Sequence, residues 1–391
     1  MNLLTIHETN YLTEIVYEYQ IITELLSSYG HSVYTIDYPS GRKKGVFFDL
    51  GTLKTKYLYN VRKANKKRGI TLIRPGMIQI PGLGRFSSFI THFFAIRKAI
   101  KDYHINRILL FSATTNGLQT FFWAKVFKIP VLFRLLDATH LLISNRLLSL
   151  PTYLAERFVY KHSDEILADT PRLTKYAVKM GANPKTTSYL PSGADSDLFY
   201  PTKKDSNLLK KYGLTSKDII ILFAGRFYNF SGLDDIITAM PGYLKKMPNL
   251  KLLILGRGEQ QNKLHNIIKT LGLEKIVILT GFKKYNDVPK HINLSDICIN
   301  PFRFVKATKV IIPGKIYQYS ACGKPTLASK LPGMLDIYPL NDKTTGIYYF
   351  NTTNDFFELI PKVIGARFKD PNPSLQAITE VIERKLEEMK I

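Results

Sequence analysis

Two short stretches combine residue types that suit the binding of a phosphate, and the first is Pro313-Gly314-Lys315. It stands where a helix should begin, after an apolar strand predicted over residues 297–299. Proline suits a first helical turn because its missing N–H costs nothing there, glycine lets an anion approach the backbone, and Lys315 adds a positive charge. A helix start at the carboxyl edge of a parallel sheet predicts an anion site. The alternative is an ordinary strand and helix with conventional stop signals.

The second stretch is Gly225-Arg226, which follows an apolar run over residues 219–224. Such a run is typical of a central parallel strand. A guanidinium just beyond such a strand, in the same half of the chain as Lys315, is a group that can pair with an anion. A surface arginine after a strand is the alternative interpretation.

The elements that must position these residues are alternating strands and helices. The chain opens with a predicted strand over residues 1–6, a helix over 11–29 and a strand over 33–37, which together form a βαβ unit. The alternation continues through the chain, and 391 residues are too many for a single core. The pattern predicts an α/β protein of two domains.

Residues 313–325 read Pro-x-Lys-x-x-Gln-Tyr-x-Ala-x-Gly-Lys-Pro and resemble the donor-binding segment of retaining glycosyltransferases of family 4. Five segments between residues 190 and 331 resemble the family in the same order. The resemblance implies the GT-B fold, in which two doubly wound Rossmann-like domains face a cleft. It implies an acceptor-side domain over residues 1–200, a nucleotide-sugar-binding domain over 201–365, and a C-terminal helix within 366–391 that crosses back to the first domain.

The resemblance carries donor-side roles onto this chain residue by residue. Arg226 matches the family arginine that binds the donor diphosphate, and Lys315 lies at the matching helix start. Because no Asp-x-Asp ligand pair occupies the site, no metal or other cofactor is expected besides the nucleotide sugar. The donor-binding candidates are Gly225, Arg226, Gly256, Gly281, Gly314, Lys315, Ile316 and Gln318.

The chain departs from the family pattern at three positions. The family glutamates that flank the donor sugar and bind the ribose fall on Val310 and Gln318, and the family lysine that follows the arginine falls on Ser231. Gln318 can still hydrogen-bond a ribose hydroxyl, whereas Val310 cannot contact a sugar in that way. These departures suggest a second hypothesis, a catalytically weak partner subunit of a glycosylation complex. A nucleotide-sugar epimerase of the same fold is a third.

Acceptor-side candidates follow the strand predicted over residues 130–134, where the family carries a histidine or a His-Asp pair. Asp137 is the first candidate for a polar or basic role, and His140, one helical turn further, and Arg134 are weaker ones. The catalytic candidates are therefore Asp137 and His140 on this side, with Arg226 and Lys315 on the donor side. A helix-capping Asp137 and a surface His140 are the alternatives.

Glu8 and Asn10 are candidate acceptor contacts because they follow the first predicted strand. The family places a glycine-rich loop that faces the acceptor at this point. The alternative for Glu8 is a favourable charge at the N-terminus of the helix that follows.

Charge is the strongest compositional signal, since the net charge is +24. Residues 42–107 hold sixteen lysines and arginines against two acids, a local balance of +14. Such a segment suits a polyanion, either nucleic acid or an anionic membrane surface. The chain carries no helix-turn-helix, zinc-finger spacing or RNA-binding signature, which disfavours nucleic acid. A solvated basic face is the third interpretation.

One predicted helix within this basic segment, over residues 85–101, has an apolar stripe with cations beside it. Such a helix suits a membrane interface, because rings settle at the head-group level and cations meet anionic lipid. The same stripe would also serve packing against the helix's own sheet. The stripe consists of Phe86, Phe89, Ile90, Phe93, Ile96 and Ile100, and the cations are Arg97, Lys98 and Lys101.

The remaining signals concern the compartment. Cys298 and Cys322 fall in a predicted strand and helix, as reduced core residues of a cytosolic protein do. The first residues lack the features of a targeting signal, and no apolar run approaches the roughly 20 residues of a membrane span. We therefore expect a cytoplasmic enzyme, peripheral on the cytoplasmic face of the membrane. The resemblance implies that it transfers a sugar from a nucleotide-sugar donor to a lipid-linked acceptor with retention.

Overall fold

The computed structural model divides the chain into two compact units, Met1–Pro191 with Leu375–Ile391, and Ser192–Ser374. We call these the first and the second unit. The basic segment over residues 42–107 is described in part, since residues 42–49, 65, 81 and 82 lie outside the described residues. The described residues are 1–12, 15–38, 50–64, 66–80, 83–143, 146–340 and 342–390.

The first unit is built on an eight-stranded sheet. Its strands are β1 (Asn2–Ile6), β2 (Ser32–Ile36), β4 (Lys56–Val61), β5 (Ile70–Arg74), β7 (Arg107–Leu110), β8 (Val131–Leu135), β9 (Glu165–Ala168) and β10 (Thr187–Tyr189), and β3 (Gly51–Thr52) pairs with β6 (Met77–Ile78) in a separate ribbon. The order is β10-β9-β8-β7-β1-β2-β5-β4, and all neighbours run parallel except β4 and β5. The strand order reverses between β1 and β7, which is where ligands bind in open parallel sheets.

Helices cover this sheet. They are α1 (Glu18–Ser28), α2 (Leu83–Asp102), α3 (Gly117–Phe127), α4 (Thr139–Leu142), α5 (Arg146–His162), α6 (Pro171–Lys179) and the C-terminal α15 (Leu375–Glu388). Helices α2, α3, α5 and α6 pack against one another in that order, and α1 packs against α15. Because helices screen the central strands from water, β1 and β7 consist largely of buried Leu and Ile.

The first helix begins seven residues later than its apolar spacing predicts. The backbone N–H of Tyr11 donates to the buried Asp37 carboxylate at 2.9 Å, and Gln20 donates to the Tyr11 carbonyl at 2.6 Å. These bonds hold Tyr11 outside the helix. The helix begins only at Glu18, after Tyr17, whose N–H donates to the Gln20 side chain.

The second unit contains a six-stranded parallel sheet. Its strands are β11 (Ile219–Ala224), β12 (Leu250–Leu255), β13 (Val277–Gly281), β14 (Ile297–Asn300), β15 (Thr326–Ser329) and β16 (Ile347–Phe350). The order is β13-β12-β11-β14-β15-β16, so the strand order reverses between β11 and β14. The helices are α7 (Ser206–Lys211), α8 (Leu233–Ala239), α9 (Pro241–Leu244), α10 (Gln261–Thr270), α11 (Val288–Leu294), α12 (Lys315–Ala321), α13 (Pro332–Leu335) and α14 (Thr353–Val363).

Two further expectations concern burial and the membrane. Cys298 and Cys322 are buried and form no disulfide, as predicted, and burial raises the pKa of the Cys322 thiol to about 12. Within the described residues, no helix has both the length and the hydropathy that crossing a bilayer would take.

Candidate functional site

Three glycines end neighbouring strands of the second unit in the left-handed region of backbone space. Gly225 follows β11 with φ +144°, Gly256 follows β12 with φ +126°, and Gly281 ends β13 with φ +70°. Gly225 donates to the carbonyl of Leu255 at 2.9 Å, and Gly256 to that of Gly281 at 3.1 Å. A Cβ on Gly256 would lie 1.9 Å from the Gly225 oxygen, so no side chain fits between these two turns. Bare backbone therefore lines this edge of the sheet.

Lys315 points its ammonium at the same edge. Nζ lies 3.6 Å from the centroid of the Phe223 ring and 4.1 Å from that of Phe302, and a Cβ on Gly225 would be 3.4 Å from it. This buried nitrogen has no hydrogen-bond partner among the described residues, and burial lowers its pKa well below the usual range. Two aromatic faces stabilise a cation only in part, because they do not replace its lost hydration. An anion bound at this point would compensate for the lost hydration.

Arg226 lies at the surface just beyond Gly225. Its guanidinium donates to the Glu259 carboxylate at 2.9 Å and lies 5.3 Å above the Tyr228 ring. Both members of this ion pair are exposed. Exposed pairs contribute about 0–1 kcal/mol, so a ligand can redirect the arginine at small cost.

The structure corrects one donor-side prediction at the start of α12. Ile316 is fully buried and donates its N–H to the Pro313 carbonyl at 2.9 Å, so neither its side chain nor its amide is available to a ligand. Gly314 is exposed and a Cβ there would meet nothing within 4 Å. Helix α12 has only seven residues, so the charge of Lys315 is a firmer basis for the site than a helix dipole.

The three positions that depart from the family pattern have distinct surroundings. Gln318 is half-buried and its side chain makes no hydrogen bond within the described residues, so it remains available for a hydroxyl. Val310 is half-buried, and Ser231 is almost fully buried beside the turn that precedes α8. Sequence reasoning missed Asn300, which ends β14 and buries an amide oxygen with no partner in the described structure. The sequence signal that could have identified Asn300 is a polar residue at the end of an apolar strand.

The second unit has two open recesses, and Phe302, which contacts Lys315, lines the second of them. One of about 500 Å³ lies between α8 and α10, and one of about 340 Å³ lies at the carboxyl ends of β14, β15 and β16. Neither is lined by Lys315, Arg226 or Gln318. We place the site at Lys315, because a buried uncompensated charge requires a ligand more strongly than a concave surface does.

Asp137 stands beyond β8 in the first unit. It is exposed, and it makes no hydrogen bond to another described residue. Desolvation of its carboxyl by neighbouring segments and, to a smaller extent, the Glu156 carboxylate raise the pKa of Asp137 to about 7, although the residue as a whole lies at the surface. A carboxyl that titrates near neutral pH can act as an acid or a base.

His140 is held inside the unit, so the alternative of a surface histidine is wrong. Its Nδ1 lies 2.6 Å from the buried Glu156 carboxylate, which also accepts the His140 backbone N–H at 3.1 Å. Burial raises the pKa of Glu156, and the His140 contact opposes that shift. The Tyr160 hydroxyl is buried nearby and has no partner among the described residues. Asp137 therefore adjoins a buried polar cluster.

Arg134 is a structural residue, which corrects its prediction as an acceptor contact. It is fully buried near the carboxyl end of β8. Its guanidinium donates to Glu18 at 2.8 Å, to the Leu190 carbonyl at 2.6 Å and to the Pro191 carbonyl at 3.1 Å. These bonds tie the segment that leaves β10 to the core of the unit.

Glu8 and Asn10 also bind parts of their own unit. The Glu8 carboxylate accepts the backbone N–H groups of Thr115 and Asn116, which precede α3. The capping role was predicted for the helix that follows Glu8 in sequence and is found at a different helix. Asn10 accepts from Arg74 at 2.5 Å, and Arg74 pairs with the buried Asp37.

Sequence reasoning missed a set of buried polar atoms where the strand order of the first sheet reverses. His7 follows β1, and Ser112 and Asn116 follow the adjacent β7. His7 Nε2, Ser112 Oγ and both amide atoms of Asn116 lack hydrogen-bond partners in the part of the chain that the structure describes. Burial and, to a smaller extent, Arg74 lower the pKa of His7 to about 3, so its ring is neutral. Neutral donors and acceptors at this edge suit a hydroxyl-rich ligand.

Possible metal ligands lie elsewhere in the first unit. Among the described residues, His31, Glu383 and Glu387 offer ligand atoms within 4.8 Å of one another. His31 Nε2 already contacts Glu383 at 2.5 Å, and its Nδ1 lies 3.0 Å from the amino terminus. Both ring nitrogens are occupied, so this group supports no metal site.

The architecture has close counterparts among solved structures. HepE of Anabaena in complex with UDP aligns over 100% of both chains with a TM-score of 0.69 at 15% identity. WaaG, a glycosyltransferase involved in lipopolysaccharide biosynthesis, aligns over 100% of this chain and 96% of its own with a TM-score of 0.63 at 13% identity. The chain has the GT-B fold. The fold prediction is thus confirmed, and at these identities the likeness shows the fold alone.

Sequence comparison finds a family match in the second half of this GT-B chain. Residues 204–366 match the family of glycosyl transferases group 1. A GDP-mannose-dependent alpha-(1-6)-phosphatidylinositol monomannoside mannosyltransferase of Mycolicibacterium smegmatis is 26% identical over 187 residues, which is 47% of each chain. A GDP-mannose-dependent monoacylated alpha-(1-6)-phosphatidylinositol monomannoside mannosyltransferase of Corynebacterium glutamicum is 29% identical over 166 residues, 41% of this chain and 42% of that protein. The chain spans about half the length of the curated relatives it matches.

Proposed function

We propose that the protein is a glycosyltransferase that moves a sugar from a nucleoside diphosphate sugar to a lipid-linked or membrane-associated acceptor. The observation that carries the proposal is the buried Lys315 ammonium, which lacks a partner among the described residues at the point where the strand order of the second sheet reverses. The group 1 match spans the same unit. The named relatives act on phosphatidylinositol mannosides, which supports a lipid-linked acceptor.

The donor step breaks the bond between the anomeric carbon and the phosphate oxygen and leaves its electron pair on the diphosphate. Lys315 neutralises part of that charge from within the fold, and Arg226 contributes when it exchanges Glu259 for a phosphate. Bare backbone at Gly225 and Gly256 permits close approach, and the Gln318 side chain takes a ribose hydroxyl. No metal is assigned to this step, so a chelator should leave turnover unchanged.

The acceptor step forms a new bond from an acceptor hydroxyl to the anomeric carbon. Asp137 is the proposed proton acceptor, because the residue lies at the surface beyond β8 and its carboxyl titrates near neutral pH. His7, Ser112 and Asn116 are proposed contacts of the acceptor head group, in place of Arg134. By the family resemblance, the acceptor attacks on the face that the leaving group departs from, which retains the configuration.

The test incubates purified protein with a panel of nucleotide sugars and a membrane lipid extract. GDP-mannose is the first donor to try because the named relatives use it, and UDP-glucose is the second because HepE was solved with it. We expect a glycolipid and one nucleoside diphosphate per transfer. Lys315→Met should lower donor affinity at least tenfold, whereas Lys245→Met, at an exposed lysine of the same unit, should not. Unchanged donor binding in Lys315→Met would exclude this site.

Val310 and the buried Ser231 favour a second candidate, a weakly active partner subunit, because they remove a carboxylate and a cation that the family pattern places by the donor. This candidate predicts donor binding without any transfer. An epimerase of the same fold predicts conversion of the nucleotide sugar without an acceptor. The same incubation separates the three candidate functions. A glycosyltransferase yields glycolipid, a weakly active partner subunit leaves the donor unchanged, and an epimerase converts the donor.

A further inference from the structure

Helix α2 turns its large apolar side chains outward. The residues that pack inward include small and polar ones such as Ser87, Ser88 and Ala95, whereas Phe86 and Phe94 are 67% and 61% exposed. Packing on its own sheet would produce the reverse arrangement. Only the C-terminal part of the predicted stripe, Ile96 and Ile100, serves the core. The exposed large apolar residues of α2 are Leu83, Phe86, Phe89, Ile90 and Phe94.

The exposed apolar surface continues across the neighbouring helices. Helix α3 packs beside α2, and α5 packs beside α3. On both helices the exposed residues recur at helical spacing, so they form one stripe on each. These residues are Leu118, Phe122 and Val126 on α3 and Leu147, Leu150 and Leu154 on α5.

Side chains of α3 fix it to the backbone of α2. Trp123 donates its indole N–H to the Phe93 carbonyl at 2.8 Å, and Gln119 donates to the Phe89 carbonyl at 3.3 Å. The Phe93 ring contacts Phe122 with centroids 5.3 Å apart. The two exposed stripes are therefore held side by side as one surface.

Cations stand on the same helices. Arg97 and Lys101 are exposed near the end of α2, and Lys125 is exposed on α3. Asp102 is the one acid in α2 and α3, whose residues are all described, and it pairs with Lys98 at 2.5 Å. Aromatic rings with adjacent uncompensated cations complement an anionic bilayer surface, where rings enter the head-group layer and cations meet phosphates.

The apolar part of this surface lies at the functional edge of the first unit. Helix α3 begins just after Asn116, and Arg85 at the start of α2 donates to the Thr115 hydroxyl at 3.4 Å. A membrane that contacted the first turns of these helices would face the edge that carries His7 and Asn116. A lipid-linked acceptor would reach that edge without leaving the bilayer.

We propose that the outward face of α2, α3 and α5 is a docking surface for an anionic lipid bilayer. Its link to the acceptor rests on the proposed function, whereas the docking itself does not. The proposal assigns membrane contact to a defined aromatic surface with adjacent cations, rather than to the basic segment as a whole.

Sedimentation of the full chain with vesicles tests the proposal, using phosphatidylcholine vesicles with and without phosphatidylglycerol, at low and high salt. Wild-type protein should bind the phosphatidylglycerol vesicles more tightly, and salt should weaken that binding. Phe86→Ser with Phe94→Ser should weaken it roughly tenfold or more. Lys101→Gln with Lys125→Gln should also weaken it roughly tenfold or more, and at low salt only.

Matched controls keep the test specific. Tyr59→Ser removes an aromatic that is 70% exposed on β4, and Lys245→Gln with Lys246→Gln removes two exposed cations of the second unit. Both should bind vesicles as wild type does. The proposal is overturned if the phenylalanine variant binds vesicles as wild type does. It is also overturned if the two substitutions leave vesicle binding unchanged and instead convert a wild-type dimer into a monomer. Donor binding measured without vesicles reports on the proposed function separately.

Discussion

The guanidinium of Arg134 donates to the carboxylate of Glu18 at 2.8 Å in the first unit, where the Arg134 side chain is fully buried and the Glu18 side chain is 9% exposed. The same guanidinium holds the carbonyls of Leu190 and Pro191, where the chain leaves β10. A cation with this many internal partners organises the fold and has little capacity left for a substrate. Its loss should therefore affect stability before it affects acceptor binding.

Arg134→Met should lower the free energy of unfolding by about 2–4 kcal/mol, because it removes a fully buried cation and leaves the largely buried Glu18 carboxylate and two backbone carbonyls without their donor. Urea denaturation followed by circular dichroism measures the change. Adding Glu18→Gln to this variant should recover part of the loss, as expected for residues in contact. A variant with wild-type stability and a raised acceptor KM would instead restore the acceptor role.

Substitution by alanine should affect stability at one glycine of the second unit and donor binding at another. Gly256→Ala should destabilise the protein by about 2 kcal/mol or more, because its Cβ would collide with the Gly225 oxygen and its φ is positive. Gly314→Ala should leave stability unchanged, since φ is −54° and the space is open, yet weaken donor binding if phosphate approaches there. Thermal denaturation and donor titration give the two readouts. Equal stability of the two variants would contradict the strand-end geometry.

Donor binding should take up protons as the pH rises towards alkaline values. Burial lowers the pKa of Lys315 in the free protein, and a bound diphosphate raises it again, so between the two values binding captures a proton. Calorimetric titration in buffers of different ionisation enthalpy measures the uptake, which we expect to reach at most about one proton per donor. Lys315→Met should abolish it. Identical uptake in that variant would assign the proton to another group.

The transfer rate should rise with pH through about 7 as the Asp137 carboxyl ionises to become the proton acceptor. Asp137→Asn should lower kcat about a hundredfold or more and remove this limb of the pH profile. Glu380→Gln, at an exposed acid of α15, is the control and should retain both. If Asp137→Asn kept the wild-type profile, the base would have to be sought elsewhere in the polar cluster.

Ionisation of Asp137 should raise the transfer rate but lower the free energy of unfolding. Because its pKa is higher in the folded protein than in the unfolded chain, the folded state binds more protons between about pH 4 and pH 7. The contribution of this carboxyl to stability therefore falls as the pH rises through that range. Asp137→Asn should unfold at the same urea concentration as wild type near pH 4 and at a higher one near pH 8. A lower midpoint for the variant at pH 8 would show that the carboxylate is stabilised by the fold.

Particular residues mark how far local patterns reach. The start of α12 at Lys315 and the strand that ends before Gly225 could be predicted, because proline, glycine and apolar runs act on their own backbone. The contact of Lys315 with Phe223 and Phe302 could not be predicted, because it requires β11 and β14 to be neighbours. Arg134 and Asp137 illustrate the same limit. They are three positions apart at the carboxyl end of β8. The Arg134 guanidinium is nevertheless buried and donates to Glu18 and to the carbonyls of Leu167, Leu190 and Pro191, whereas Asp137 is exposed.

The sequence by itself determined the α/β class, the division into two units, most helices and strands, and the resemblance of residues 190–331 to family 4 glycosyltransferases. Those properties follow from periodicity, turn residues and local spacing, which are encoded over a few consecutive positions. Only the tertiary structure decided which polar groups lack partners and which face of α2 is exposed. Burial depends on what other segments of the chain supply, and a residue's neighbours in space are set by the whole sheet rather than by the residues beside it in sequence.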